Sequence, residues 1–211
     1  MPEKKKLLIL DFNGTLEGRD GLYEGVPEVL KHMHESGDYA MVILSMGSRR
    51  SIENLLEEES DALCARGKVD MRRYFNGIYG ADEIAQANNG LPDKANPRVL
   101  KQIEQDLSYE GVEIDQAESI VVGDSYAEHL LAKRSGIGFI YAGWHDVANG
   151  EPVKSGLYEI PPSPDTGHEA ITRQDISEAK AVEDVKNLPA TIRDLHQEKS
   201  APFMGREPPE R

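Results

Sequence analysis

Three short apolar runs in this chain each stop at a single polar residue, and that pattern restricts the fold more than any other feature. Leu7-Leu8-Ile9-Leu10 stops at Asp11, Tyr39-Ala40-Met41-Val42-Ile43-Leu44 at Ser45, and Ser119-Ile120-Val121-Val122-Gly123 at Asp124. Runs this short, with no polar–apolar alternation, are strands buried on both faces, the situation of a parallel sheet covered by helices. Segments with helical spacing lie between them. Val26, Val29, Leu30 and Met33 form one stripe in 26–36, with Pro27 in the first turn and Gly37 as the stop. A second helix runs from Arg49 to about Cys64, with Ser48 as its cap and Ile52, Leu55, Leu56 and Leu63 inward; Glu57-Glu58-Glu59 forms its solvated face. Further helices are predicted at Pro97–Leu107 and Glu128–Ser135, and further strands at Phe75–Tyr79 and Ile137–Tyr141. Regular alternation of the two predicts right-handed crossovers and an α/β fold: a Rossmann-like three-layer α/β/α sandwich around a mainly parallel central sheet.

A chain of 211 residues can bury one real core. That core is expected over 1–148, followed by a loop-rich excursion at 149–175 that carries Pro152, Pro161, Pro162 and Pro164. Elements returning to the core are expected at 176–199: a strand near Val182–Lys186 and a helix from about Pro189 to Gln197. The tail at 200–211, with three prolines, reads as disordered. A net charge of -14 and a pI near 4.9 exclude a binder of nucleic-acid backbone, which needs a basic face. A small anionic substrate is not excluded, because one bound cation and one lysine reverse the local field. Cys64 is the sole cysteine, so no internal disulfide and no cysteine zinc cluster can form; it reads as a reduced, packed thiol. Leu7–Leu10 is too short for a signal-peptide core or a membrane span, and a cytoplasmic protein without membrane partners is expected.

In an open α/β sheet, ligands collect beyond the carboxyl ends of the strands. Asp11, Ser45 and Asp124 each stand at such an end, and Lys94 stands just ahead of a helix. Asp11 runs into Gly14-Thr15 and reads either as a turn aspartate or as a nucleophile able to attack phosphorus. With Asp124 and a main-chain carbonyl it forms a hard oxygen site suited to Mg²⁺. Glu128 reads equally as a residue holding a metal-bound water and as a first-turn glutamate favoured by the helix dipole. Ser45 offers a hydroxyl, Met46 and Gly47 offer peptide N–H groups to an oxyanion, and Lys94 offers a point charge to a phosphoryl group. Each residue alone is ordinary; the set, in order on the strand ends, is not.

These segments resemble the four motifs of the haloacid dehalogenase (HAD) superfamily, chiefly its phosphatase branch, over about residues 5 to 145. DFNGTL at 11–16 is similar to the first motif, VILS at 42–45 to the second, Lys94 in PDKANPRVL to the third, and GDSYAE at 123–128 to the fourth. The resemblance implies that Asp11 is nucleophile and metal ligand, that Asn13 gives its backbone carbonyl to Mg²⁺, and that Asp124 is the other protein ligand. It also implies that Glu128 stands where an aspartate is usual, that Ser45 and Lys94 hold the phosphoryl group, and that Thr15 braces the first loop.

From Asp11 to Ser45 there is room for a flap, a helix and a strand, and from the third strand to Lys94 for less, so no cap domain fits. The site is therefore expected to be open, for a phosphorylated small molecule or macromolecule, unless the 145–175 excursion with Trp144 and His145 at its root forms a lid. Trp144 reads as packing or as substrate contact. Asn13 departs from the family pattern, which places an aspartate there as general acid/base. An amide can neither protonate the leaving oxygen nor activate water, and such help is typically worth about 10² to 10⁴ in rate. His32, His34 and His145 are the candidates to replace it.

Overall fold

The computed structural model describes residues 4–63, 70–151, 153 and 180–200. Strand β1 (Lys5–Leu10) leads into a small hairpin, β2 (Glu17–Gly18) and β3 (Gly21–Leu22), and then into α1 (Val26–Ser36), β4 (Tyr39–Leu44) and α2 (Arg49–Leu63). There follow β5 (Gly77–Tyr79), α3 (Ala81–Ala87), α4 (Pro97–Tyr109), β6 (Ile114–Gly123) and α5 (Tyr126–Ser135). The last elements are β7 (Gly138–Ala142), α6 (Trp144–Ala148), β8 (Lys180–Val182) and α7 (Leu188–Ser200). Six strands form one sheet in the order β5-β4-β1-β6-β7-β8, every pair parallel. This is the doubly covered α/β sandwich predicted from the apolar runs.

The absence of alternation in those runs has a direct cause. Leu8, Leu10, Met41, Ile43, Ile120 and Val122 point to one face, where Val29 and Leu30 of α1, Ile52 and Leu56 of α2 and Ile192 of α7 cover them. Leu7, Ile9, Val42, Leu44 and Val121 point to the other, beneath Val99, Leu100 and Ile103 of α4 and Leu131 of α5. Successive side chains leave opposite faces of a strand, so a sheet with two cores requires apolar residues at every position.

Boundaries differ where local hydrogen bonding outweighs pattern. β5 begins at Gly77 rather than Phe75, because Asp70 caps a 3-10 turn over Met71–Tyr74 that ends at Phe75. β6 begins at Ile114, well before Ser119; its polar first half pairs with Lys5 and Lys6 before a register shift resets the ladder. The expected strand at Val182–Lys186 lies earlier, at Lys180–Val182, and the Asp184 side chain, accepting from Lys186 N, closes a 3-10 turn over Val185–Asn187 instead. Helix α3 has no apolar stripe, only Ile84 buried, and is started by Glu83 reaching back to Gly80 N at 3.0 Å. Glu59, assigned to the solvated face of α2, instead accepts from Leu22 N of the hairpin at 3.4 Å, while Glu57 and Glu58 are exposed.

Cys64, most of the 149–175 excursion and the tail beyond Ser200 lie outside the described residues. Only the hairpin and α1 separate β1 from β4, and only α3 separates β5 from α4, so no cap domain is inserted at either point. No helix among the described residues is long and apolar enough to cross a membrane.

Candidate active site

The sheet brings four distant residues to one edge. Asp11 N bonds to Val122 O at 2.9 Å, carrying the β1–β6 ladder one residue past β1, and Ser45 N bonds to Tyr79 O at 2.9 Å in the same way beyond β4. Asp124 follows β6 directly, beside the first loop. Gly14, at φ 82°, lies so close that a Cβ there would collide with the Asp124 carboxylate. Glycine is required here for both reasons. Lys94, 5% exposed, is buried rather than a surface lysine, and its ammonium contacts both Asp11 Oδ1 and Glu128 Oε1. Glu128 is the first-turn glutamate of α5, one of its two readings. Its Oε2 accepts from Ser125 N at 3.0 Å and from Ser125 Oγ, capping α5, while Oε1 faces Lys94. Thr15 Oγ1 donates to Asp11 Oδ2 at 3.4 Å, the brace predicted for the first loop.

Asp11, Asp124 and Glu128 present carboxylate oxygens that all lie within 4.8 Å of one another. One ammonium stands against three carboxylates in a buried space, so a net negative charge is left over. Burial, opposed by Lys94 and reinforced by Glu128 and Asp124, pushes Asp11 from its ordinary 3.8 up to about 7. Burial and the Glu128 charge raise Asp124 as well. For Lys94, burial pulls the pKa down, but Glu128 and Asp11 together outweigh it and hold the ammonium above its ordinary value. Hard oxygen donors with unneutralised charge fit a divalent cation.

A carboxylate whose folded pKa is raised takes up a proton on folding, so metal-free stability from Asp11 is present below its unfolded 3.8 and is lost as pH climbs through about 7. A divalent cation held here would compete with protons for these oxygens. Thermal melts are therefore expected to show a larger Mg²⁺-induced rise in Tm at pH 8 than at pH 5.5, by a few degrees, about 1 kcal/mol or more. An equal rise at both pH values would contradict a metal site at these carboxylates.

Asn13 is exposed at the mouth of the site and its amide is fixed from both sides. Ser45 Oγ donates to Asn13 Oδ1 at 3.2 Å, and Asn13 Nδ2 donates to Glu17 Oε2 on the hairpin. The bridge between the first loop and the hairpin uses Glu17 N to Phe12 O at 2.9 Å and Gly14 N to Glu17 O at 2.8 Å, neither of which involves the Asn13 carbonyl. Gly47 N–H is turned to Ser45 Oγ at 3.1 Å, while Met46 is exposed beside it. Trp144 is buried packing: its Nε1 donates to Thr15 O at 2.9 Å and ties α6 to the first loop. Among the three histidines, His32 is exposed and His34 packs against Tyr74, both on α1, whereas His145 Nε2 lies 4.0 Å from Asp124 Oδ2. Sequence reasoning missed Glu17, whose carboxylate accepts from the Asn13 amide. The hairpin strands are two residues each, too short for any periodicity to register their roles.

A family profile for haloacid dehalogenase-like hydrolases matches residues 3–136, and the chain belongs to that family. In fold it is similar to a HAD-superfamily hydrolase from Ehrlichia chaffeensis, with TM-score 0.56 and 12% identity over 92% of this chain and 99% of that one. A HAD-superfamily hydrolase of subfamily IA from Geobacter sulfurreducens aligns with TM-score 0.53 and 15% identity over 89% of this chain and 96% of that one. The candidate HAD-hydrolase YfnB of Bacillus subtilis, bound to magnesium, aligns with TM-score 0.51 and 10% identity over 82% of this chain and 55% of that one. At these identities the likeness is one of fold. No curated protein matches the chain.

Proposed function

We propose that this chain is a Mg²⁺-dependent phosphatase or phosphotransferase that works through an aspartyl-phosphate on Asp11, and that Asn13 makes hydrolysis of that intermediate slow. The observation that carries the reading is the buried Lys94 ammonium in contact with Asp11 and Glu128, at the centre of a three-carboxylate cluster on the carboxyl edge of the sheet. A lysine is buried at the cost of its hydration only where compensating charge surrounds it. Here it contacts Asp11 Oδ1, while Thr15 Oγ1 donates to Asp11 Oδ2.

In this reading Asp11, Asp124, Glu128 and the Asn13 carbonyl would hold Mg²⁺, which would neutralise charge so that one anion can approach another. Ser45 Oγ and Lys94 Nζ orient the phosphoryl oxygens, with Met46 N–H as a further donor. An Asp11 oxygen attacks phosphorus and the leaving oxygen departs. The second step needs a base to take a proton from water. Asn13 has its Oδ1 engaged by Ser45 and its Nδ2 by Glu17, and an amide takes up no proton at neutral pH. The substrate is a phosphorylated small molecule or macromolecule admitted by an edge without a cap domain.

A rapid-mix time course with an aryl phosphate and Mg²⁺, counting product per enzyme, tests the reading. A burst of about one equivalent followed by a stall is expected. Sustained turnover without a burst would remove the role given to Asn13. Neither burst nor turnover, with Mg²⁺-dependent binding of a phosphorylated ligand, would make the chain a binding member of the family.

A further inference from the structure

Lys94 reaches the carboxylates from neither a strand nor a helix, but from the loop over 88–96 that joins α3 to α4. The loop turns through two left-handed residues, Asn89 at φ 57° and Gly90 at φ 95°, and Asp93 N bonds back to Leu91 O at 2.9 Å. Backbone of this kind keeps its shape only where its surroundings hold it. After Lys94 the hold comes from α5, where Arg134 Nη1 donates to Ala95 O at 3.3 Å. Before Lys94 it comes from Asn88, the residue that ends α3.

Asn88 is 4% exposed, and its Nδ2 donates to Asp93 O at 2.6 Å. The same carbonyl accepts from Asn96 N at 3.3 Å, and Asp93 Oδ1 accepts from Ala95 N at 3.0 Å. The Asp93 carbonyl and the Lys94 N–H belong to one planar peptide, so a hold on that oxygen fixes the direction in which the Lys94 side chain leaves the backbone. Chemistry decides which way the amide faces, because turning it over would set its oxygen against the Asp93 oxygen. In the orientation that remains, Asn88 Oδ1 is buried and has no hydrogen-bond partner among the described residues. A buried acceptor left unmatched destabilises a fold. An apolar side chain would avoid that penalty but could not hold Asp93 O. The side chain therefore acts through its donor, and the target of the donor is the peptide that carries Lys94.

We propose that Asn88 is the positioning residue for Lys94: its amide sets the reach of the ammonium to Asp11 Oδ1 and Glu128 Oε1, and with it the alignment of that charge on the transferring phosphoryl group. The effect on rate rests on the aspartyl-phosphate reading above; the effect on where Lys94 sits does not. Without the hold, the ammonium still seeks the carboxylates, but its place varies, and a misplacement of about 1 Å is enough to slow a transfer that depends on alignment.

The test uses two substitutions with opposite packing and the same lost donor. Asn88→Leu fills the space and Asn88→Ala empties it. Both are expected to slow the single-turnover burst with 4-nitrophenyl phosphate and Mg²⁺ about tenfold, whereas a packing role would separate them. Lys94→Met is expected to slow the burst on the order of 10²-fold or more. Adding either Asn88 substitution to Lys94→Met is expected to slow it by less than about twofold further, since the group being positioned is gone. A second readout needs no catalysis: acetylation of the metal-free protein by an amine-reactive ester, read lysine by lysine by mass spectrometry. Lys94 is expected to react about fivefold faster or more in either Asn88 variant, because its burial is no longer enforced. Lys6, half-buried and 3.2 Å from His196 Nδ1, is expected to react as before. Unchanged reactivity at Lys94, a rise at both lysines, or an Asn88 loss that persists in full beside Lys94→Met overturns the inference while a wild-type burst leaves the aspartyl-phosphate reading standing. A wild type without a burst that keeps the expected lysine pattern overturns that reading and leaves the placing of Lys94 with Asn88.

Discussion

Asp11→Asn is expected to reduce burst and turnover by on the order of 10⁴-fold or more, because the amide cannot attack phosphorus. The same substitution is expected to stabilise the metal-free protein at pH 8. At that pH the wild-type carboxylate is held ionised although burial has pushed its pKa up to about 7. A neutral group of the same shape removes this burden, raising Tm by a few degrees, with roughly 2–4 °C per kcal/mol for a chain this long. At pH 5.5 wild-type Asp11 is mostly protonated in the metal-free fold but ionised when unfolded, so the gain is expected to be smaller there and to vanish only below about 3.8. Lys94 keeps Glu128 as its partner, so the substitution leaves the ammonium paired. Melts at the two pH values, with and without Mg²⁺, together with the burst assay, check all of this. A loss of stability at pH 8 would mean that the Lys94–Asp11 contact outweighs desolvation and the crowding of the three carboxylates.

The second large effect is a gain. Asn13→Asp is expected to raise steady-state turnover by on the order of 10²-fold while leaving burst amplitude near one equivalent, since a carboxylate can serve as acid and then as base. The gain is expected to be incomplete, for a reason the structure supplies. Asn13 Nδ2 now donates to Glu17 Oε2, and a carboxylate at position 13 would face that carboxylate with no proton between them. Burial already holds Glu17 above its ordinary pKa, with the Asn13 amide acting to lower it. Like charges in contact raise the affinity of the pair for a proton, so the single variant is expected to have its turnover optimum shifted to higher pH. Asn13→Asp combined with Glu17→Gln restores a donor against the new carboxylate, and the double variant is expected to turn over faster than the single one at pH 7. Steady-state pH profiles of the wild type and three variants measure this coupling. A double variant no faster than Asn13→Asp alone would show that Glu17 does not govern the position.

The edge that carries the candidate site was legible in the sequence because topology forces it. Strands that carry apolar residues at every position must be covered on both faces, and parallel strands must end on the same edge. Asp11, Ser45 and Asp124 are therefore delivered to one edge, and Lys94, just ahead of a helix, is expected at the same crevice. The helices with an apolar stripe, α1 and α4, were legible for the same reason: period and burial are two descriptions of one constraint.

Other properties depended on what the chain brings into contact. Lys94 reads as a surface lysine by composition; only packing against Asp11 and Glu128 makes it a buried cation. Helix α3 escaped notice because a short helix started by one backward-reaching glutamate needs no hydrophobic period. The partners of Asn13, the burial of Trp144 and the Asn88–Asp93 contact join residues from 4 to 129 positions apart through hairpin and loop geometry. No periodicity marks such contacts, because they are set by where the sheet delivers its loops. Local pattern thus determined the layers and the edge on which chemistry can occur, while the protonation, pairing and reach of the groups on that edge were decided by distances that only the tertiary structure sets.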